Sequence, residues 1–371
     1  MKKLTLTAIL FLLLPLFSFS QDYWEHLYTN DTNMIWTMKI ANNGTIYYGS
    51  SNGLYISHDD GQTWAFKYLF EYSYMYDMEF DIDSNLICAA SYKLYKYKVA
   101  EDEWEFLFQP EVLHDFRAIL VDSNFIFAGN DNGNLYRYDG YNWQELETQP
   151  VAGITDIIKD TADRLFTCST SWSGDDGSVA QSLDNGDTWT LLGLKNSYIQ
   201  DLAIDGQNRL YAGSIGNSQY GIGGLYRYDR ESGTWDTLRL YHRVMSILIN
   251  DEDSLYIGQY TTGGPPAGAF MSPDYGETWY DISSGFPEDN YYKNVMELTI
   301  GPQNHLYSII QNANSIYKST DSTIVGLERP NYSGQFALRV FPNPFSSQLL
   351  ITLNNKSFGY CNVSIFNQFS T

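Results

Sequence analysis

Apolar and aromatic residues recur along this chain in short alternating runs of four to six, with polar residues between them. No stretch shows the three-to-four spacing of a long amphipathic helix, so the pattern reads as strands. One unit runs Ile35 to Ile40, Gly44 to Gly49, Gly53 to Ser57 and Gln62 to Phe66, with Asn-Gly or Asp-Gly chemistry in the gaps. The same four-strand phrase returns at Met75, Phe116, Ile154, Ile199, Val244 and Val295.

Aligning one position of the first strand in each copy gives Thr37, Asp77, Ala118, Asp156, Asp201, Ser246 and Glu297, at spacings of 38 to 51 residues. That period is the length of a propeller blade. The sequence therefore predicts an all-β, seven-bladed β-propeller of four-stranded blades. The seventh copy has only three strands, ending at Ser315 to Ser319. Tyr23 to Leu27 resembles the fourth strands Glu103 to Leu107 and Thr234 to Leu238, and is expected to complete the last blade and close the ring.

The start of the chain carries Lys2 and Lys3, an apolar run from Leu4 to Phe17, and small residues at Ser18 and Ser20. This reads as a signal peptide over residues 1–20, which implies export. No later stretch approaches the roughly 18 apolar residues of a transmembrane helix. The formal charge of −22 and pI near 4.4 argue against nucleic acid or an anionic membrane as a partner. Cys88, Cys168 and Cys361 form neither a disulfide framework nor a metal spacing, and the five histidines are scattered. No cofactor is implied, and metal dependence stays open. The expected organisation is a propeller over 21–326, a linker over 327–336 and a short β-rich tail over 337–371.

Three copies of S-x-D-x-G-x-T-W stand at equivalent positions: Ser57, Asp59, Gly61 and Trp64; Ser182, Asp184, Gly186 and Trp189; Ser272, Asp274, Gly276 and Trp279. They resemble the Asp-box, or bacterial neuraminidase (BNR), repeat of the sialidase-like superfamily. The resemblance implies structural turns between third and fourth strands, on the face opposite the usual ligand site, with the tryptophan ring buried between sheets. At the other end, Val340-Phe-Pro342-Asn-Pro344 followed by Gln348 to Leu353 resembles the opening of a type IX secretion C-terminal sorting domain, here a truncated one. That implies the type IX secretion machinery as a partner and a secreted or cell-surface location.

Candidate chemistry falls in two places. The aligned ring offers Asp77, Asp156, Asp201 and Glu297, which could supply a carboxylate pair at the channel mouth or tie down backbone amides at the crowded axis. Blades 4 to 6 carry long connections between second and third strands, bearing Trp172, Tyr220 and Tyr260, rings suited to a glycan or a protein surface. Arg117 joins them as a ligand-binding candidate at the start of a first strand. A sialidase would need an arginine triad and six blades, whereas only Arg117 and Arg243 start first strands here. The xyloglucan-degrading enzymes place their acids between two propellers. The reading is a non-catalytic binding propeller for a glycan or extracellular protein on the face rimmed by blades 4 to 6, with a sialidase-like or xyloglucanase-like glycoside hydrolase as the alternative.

Overall fold

A computed structural model describes residues 22–323, apart from 31–32, 70–72, 147–152, 170–178, 195–197, 217–222, 241, 262–266, 289–292 and 312; beyond them it describes strands 337–341 and 350–354. The expected signal peptide and linker lie outside the described residues. Seven four-stranded antiparallel sheets form the ring. Six of them run in sequence order, from the first strand at the axis to the fourth at the rim. Each first strand packs against the first strand of the next blade, and that of blade 7 against that of blade 1. Among the described residues the sole helical element is one 3₁₀ turn, Pro302–Asn304. Ala337–Phe341 and Leu350–Asn354 pair as a separate antiparallel hairpin.

The blades fit together through a size rule. Near the start of each first strand stands a buried apolar wedge, and at four junctions the second strand of the preceding blade has a glycine where the wedge arrives. Met75 faces Gly49, Ile154 faces Gly129, Val244 faces Gly213 and Val295 faces Gly258. A Cβ on Gly129 would stand 2.4 Å from Ile154 Cγ2, and one on Gly258 2.4 Å from Val295 Cγ1. Neither distance is physically allowed. Glycine is therefore kept at these positions by close approach, and sheet is laid on sheet with little void.

Blade 7 closes as expected. Its first three strands, Val295–Ile300, His305–Ile310 and Ser315–Ser322, take Trp24–Thr29 as the fourth, antiparallel to the third. Trp24 is 1% exposed, stacks on Phe286 at 4.8 Å, and donates its indole N–H to the Ile282 carbonyl at 2.7 Å. The Trp24 amide also donates to the Ser284 carbonyl at 3.0 Å. One residue thus joins the start of the chain to blade 6 as well as to blade 7.

The three S-x-D-x-G-x-T-W turns share one hydrogen-bond pattern. In blade 4, Ser182 Oγ donates to Asp184 Oδ1 at 2.8 Å and accepts from the Gly186 amide at 2.8 Å. Asp184 takes the Thr188 amide at 2.8 Å and its hydroxyl at 2.6 Å, and Trp189 Nε1 donates to the Gly186 carbonyl at 2.9 Å. Blades 1 and 6 repeat every one of these bonds. These bonds hold the carboxyl of Asp184 down at about 2. Gly186 has φ +93°, and a Cβ there would lie 2.7 Å from Leu146 Cδ1 in the outer strand of blade 3. Gly61 and Gly276 meet Leu27 and Leu238 of the preceding blades in the same way. The turns are therefore fasteners between neighbouring blades as well as local caps. One expectation is corrected: Trp64, Trp189 and Trp279 are half-buried, because each ring lies at the outer rim of the interblade layer.

Two stability measurements check this account. Trp24→Ala is expected to cost about 3–5 kcal/mol by chemical denaturation, the range for a fully buried large aromatic; an unchanged midpoint would mean the ring does not depend on this strand. Trp64→Ala, half-buried against Tyr28 and Tyr48, is expected to cost less, about 2–3 kcal/mol.

Candidate functional site

A first strand is the inner edge of its blade, so part of its backbone faces the axis with no neighbouring strand to pair with. Every first strand also carries a register shift just before the aligned ring position, from Ile35/Thr37 in blade 1 to Val295/Glu297 in blade 7. These bulges leave the amide after the ring position for a side chain to satisfy. Glu297 Oε2 accepts from the Met38 amide of blade 1 at 3.1 Å. Asp77 accepts from Ile119 of blade 3 at 2.7 Å, Asp156 from Leu202 of blade 5 at 2.9 Å, and Asp201 from Ile247 of blade 6 at 2.5 Å. Ser246 Oγ accepts from Leu298 of blade 7 at 3.1 Å.

Two blades lack a side chain of sufficient reach, Thr37 in blade 1 and Ala118 in blade 3. There the next blade supplies its own acceptor: Asp77 Oδ1 takes the Met78 amide and Asp156 Oδ1 takes the Ile157 amide, both at 2.8 Å. All seven amides are thereby matched. The four predicted carboxylates come together as one ring, each holding at least one inner-strand amide.

The four carboxylates are half-buried and crowded at the axis, and their charges respond. Burial pushes Asp77 up to about 7 and Glu297 up to about 8, against the opposing pull of the Lys39 ammonium. Lys39 lies two residues beyond the ring position and pairs with Glu79 of blade 2 at 2.7 Å. Asp156 and Asp201 are hydrogen-bonded to each other; burial raises both, the charge of Asp156 raises Asp201 further, and the hydrogen bond from Asp201 pulls Asp156 back down.

One residue before the ring position lies a second set, of which sequence reading singled out Arg117 alone. Trp36 of blade 1 meets Tyr76 of blade 2 edge to face at 5.2 Å, with Tyr74 beside both at 5.7 and 5.9 Å. Arg117 of blade 3 lies over the Tyr76 ring, 3.7 Å from its centroid. Its guanidinium is 3.6 Å from Asp115 and 3.8 Å from Asp131, and His114 is 3.4 Å from Asp131. The Tyr76 hydroxyl donates to Asp115 at 3.2 Å. An aromatic run ending in an arginine and two carboxylates thus spans three blades at the channel mouth. The available signal was the column Trp36, Tyr76, Arg117, one place before the ring column.

The register puts this run on the face of the second-to-third connections, because Ile35 pairs with Ser50 and Phe116 with Asn130. The S-x-D-x-G-x-T-W turns lie at the opposite face. Tyr260 ends the second strand of blade 6 on the upper face, half-buried and paired with Arg243. Trp172 and Tyr220 lie outside the described residues. The strand bounds agree with long connections in blades 4 to 6, Ser169 to Val179, Ser214 to Gly224 and Tyr260 to Gly268, against Ser50 to Gly53 and Ala90 to Lys93 in blades 1 and 2. Among the described residues no cluster of three or more His, Cys, Asp or Glu is arranged to hold a metal ion, and no helix is long and apolar enough to cross a membrane.

No protein-family model matches the sequence, and no curated protein matches it. Solved structures share its fold. The extracellular domain of a hybrid two-component system from B. thetaiotaomicron is 15% identical with a TM-score of 0.65, over 85% of this chain and 42% of that one. PorZ, a surface component of the type IX secretion system of Porphyromonas gingivalis, is 12% identical with a TM-score of 0.60, over 84% and 49%. An ancestral GH74 enzyme is 14% identical with a TM-score of 0.61, over 78% and 45%. The chain spans less than half the length of each of these three proteins. At these identities the likeness establishes the β-propeller fold.

The ring carboxylates give a pH dependence of known sign. A carboxyl raised in the folded state keeps protons that the unfolded chain releases near its ordinary value of about 4, so stability falls as pH rises from there through about 8. The turn carboxylates, held low, act oppositely and lose their contribution only as pH drops toward 2. The thermal midpoint is expected to peak near pH 5 and decline toward pH 9. Asp201→Asn, which keeps a donor toward Asp156 and an acceptor for the Ile247 amide, is expected to flatten that decline. Equal slopes in variant and parent would mean that this pair does not carry it.

Proposed function

We propose that this chain is an exported, non-catalytic binding propeller that presents its upper face to a glycan or protein ligand outside the cell. The observation that carries the reading is the engagement of the ring carboxylates. Asp77, Asp156, Asp201 and Glu297 hold backbone amides of their own or adjacent blades. Asp156 and Asp201 are in hydrogen-bond contact, closer than the roughly 5 Å that a retaining glycosidase keeps between its two acids. These groups serve the ring, and recognition falls to the rim: Arg117 and its aromatic neighbours, with the connections that carry Trp172, Tyr220 and Tyr260.

Export is supported by the charged, then apolar, first twenty residues. The Val340-Phe-Pro342-Asn-Pro344 phrase supports delivery by type IX secretion through a C-terminal sorting segment, and the three S-x-D-x-G-x-T-W turns support membership of the Asp-box group. The propeller likeness to extracellular and cell-surface proteins is in keeping with this location. The likeness to a GH74 enzyme keeps glycoside hydrolysis as the second reading.

Incubating the purified protein with extracellular polysaccharide and surface-protein fractions separates the two. Saturable binding without release of reducing ends is expected. Reducing ends released in proportion to protein, and lost in Asp156→Asn or Asp77→Asn, would replace the binding reading with a hydrolase.

A further inference from the structure

The rim of blades 1 to 3 holds a set of polar groups whose hydrogen-bonding capacity is largely unused. Arg117 is fixed by stacking on Tyr76 and by the field of Asp115 and Asp131, yet its guanidinium donates no hydrogen bond to any described residue. Asp131 Oδ1, 3.4 Å from His114 Nδ1, accepts no hydrogen bond among the described residues and Trp36 Nε1 donates none; both atoms are buried, and the other Asp131 oxygen is left for a ligand. The side chains of Arg117, Asp115, Asp131 and His114 are each 29–35% exposed, so the cluster is positioned and still open to solvent. Beside it stand Trp36 and Tyr74, half-buried rings on the same rim. The second-to-third turns of blades 1 and 2 are two residues long, Ser51-Asn52 and Ser91-Tyr92, so the turns of these blades add little height above the rings.

We infer that this rim is a binding site for a neutral oligosaccharide, with a sugar ring against Trp36 and Tyr74 and vicinal hydroxyls bridging Arg117 and the Asp115–Asp131 carboxylates. A guanidinium only donates and a carboxylate only accepts. A pair of adjacent hydroxyls does both, and so can satisfy the two at once. The C–H face of a pyranose complements an aromatic ring in the way other apolar groups do. Charge selects against acidic sugars: two carboxylates outnumber the single guanidinium, and the whole chain carries −22. A cationic group would be drawn by that charge but offers the Arg117 guanidinium no acceptor. A neutral polyol supplies donors and acceptors together.

The inference rests on the binding reading above and adds a place and a ligand class to it. Its test is a binding titration of the purified protein with neutral hexasaccharides of gluco, xylo, manno and galacto configuration, beside uronate-containing counterparts and peptides. Four variants are compared: Arg117→Lys, Asp131→Asn, Trp36→Ala, and a combined Trp172→Ala, Tyr220→Ala, Tyr260→Ala change in blades 4 to 6. The expected result is binding of at least one neutral hexasaccharide, weakened tenfold or more by Arg117→Lys and by Asp131→Asn, with parental melting curves, and little changed by the combined variant. Arg117→Lys keeps the charge and loses the planar fork, so it separates hydrogen bonding from simple attraction. Loss of binding in the combined variant alone would overturn the site while leaving a binding propeller. Preference for uronates, or binding of peptides only, would overturn the ligand class. The absence of any saccharide binding would overturn the inference outright.

Discussion

A closed ring of sheets has an edge that a barrel does not: the innermost strand of every blade turns unpaired backbone toward the axis. In this protein that edge is satisfied from the side, by an acceptor on the preceding blade or on the strand itself. Seven amides, from Met38 to Leu298, find seven acceptors. The arrangement tolerates a short residue at Thr37 or Ala118, because the neighbouring aspartate has two oxygens and spends one on its own strand. An unsatisfied buried amide costs about 1–3 kcal/mol, so the fold alone calls for an acceptor at the ring column. Its acidic character reflects acceptor geometry before any chemistry on a ligand.

The same column fixes what lies above and below it. The bulge that frees the amide also determines where the preceding residue stands, which is how Trp36, Tyr76 and Arg117 meet across three blades. Two places further along the strand, Lys39 and Glu79 pair between blades 1 and 2 and partly offset the concentration of carboxylates. At the rim of the wheel the S-x-D-x-G-x-T-W turns hold blades 1, 4 and 6 to the outer strands of blades 7, 3 and 5 through a glycine set against a leucine. Adjacent blades are thus joined by polar contacts at the axis, apolar wedges in the middle and, in three places, a rigid turn outside.

Much of this was legible in the sequence because it is periodic. Blade number, strand order, the turn motifs and the closing strand from Tyr23 to Leu27 all follow from repeats at blade spacing, and alternation within five residues suffices to place each strand. What could not be read depends on a partner roughly one blade away and on side-chain length. Asp77 reaching Ile119, forty-two residues later, leaves no local trace. Arg117 stood out by itself, but its grouping with Trp36 and Tyr76 did not, for a related reason: the members are unlike in type, so no repeat announces them. Half-burial of Trp64 and its equivalents is a third case, since a motif fixes the turn but not how deep in the interblade layer the ring will lie.

The pairing of Trp24–Thr29 with Ser315–Ser322 has a bearing on how the chain is made. The propeller's earliest-made strand is the last to find its neighbour, because its partner is translated some three hundred residues later. Blades 1 to 6 can assemble progressively as they emerge, each on the one before, in the manner of a solenoid. The wheel itself stays a spiral until that late strand arrives. Folding is therefore local for most of its course and non-local at its final step. A chain released before Ser315 would hold six blades and an orphaned N-terminal strand, with two open sheet edges free to pair with other molecules.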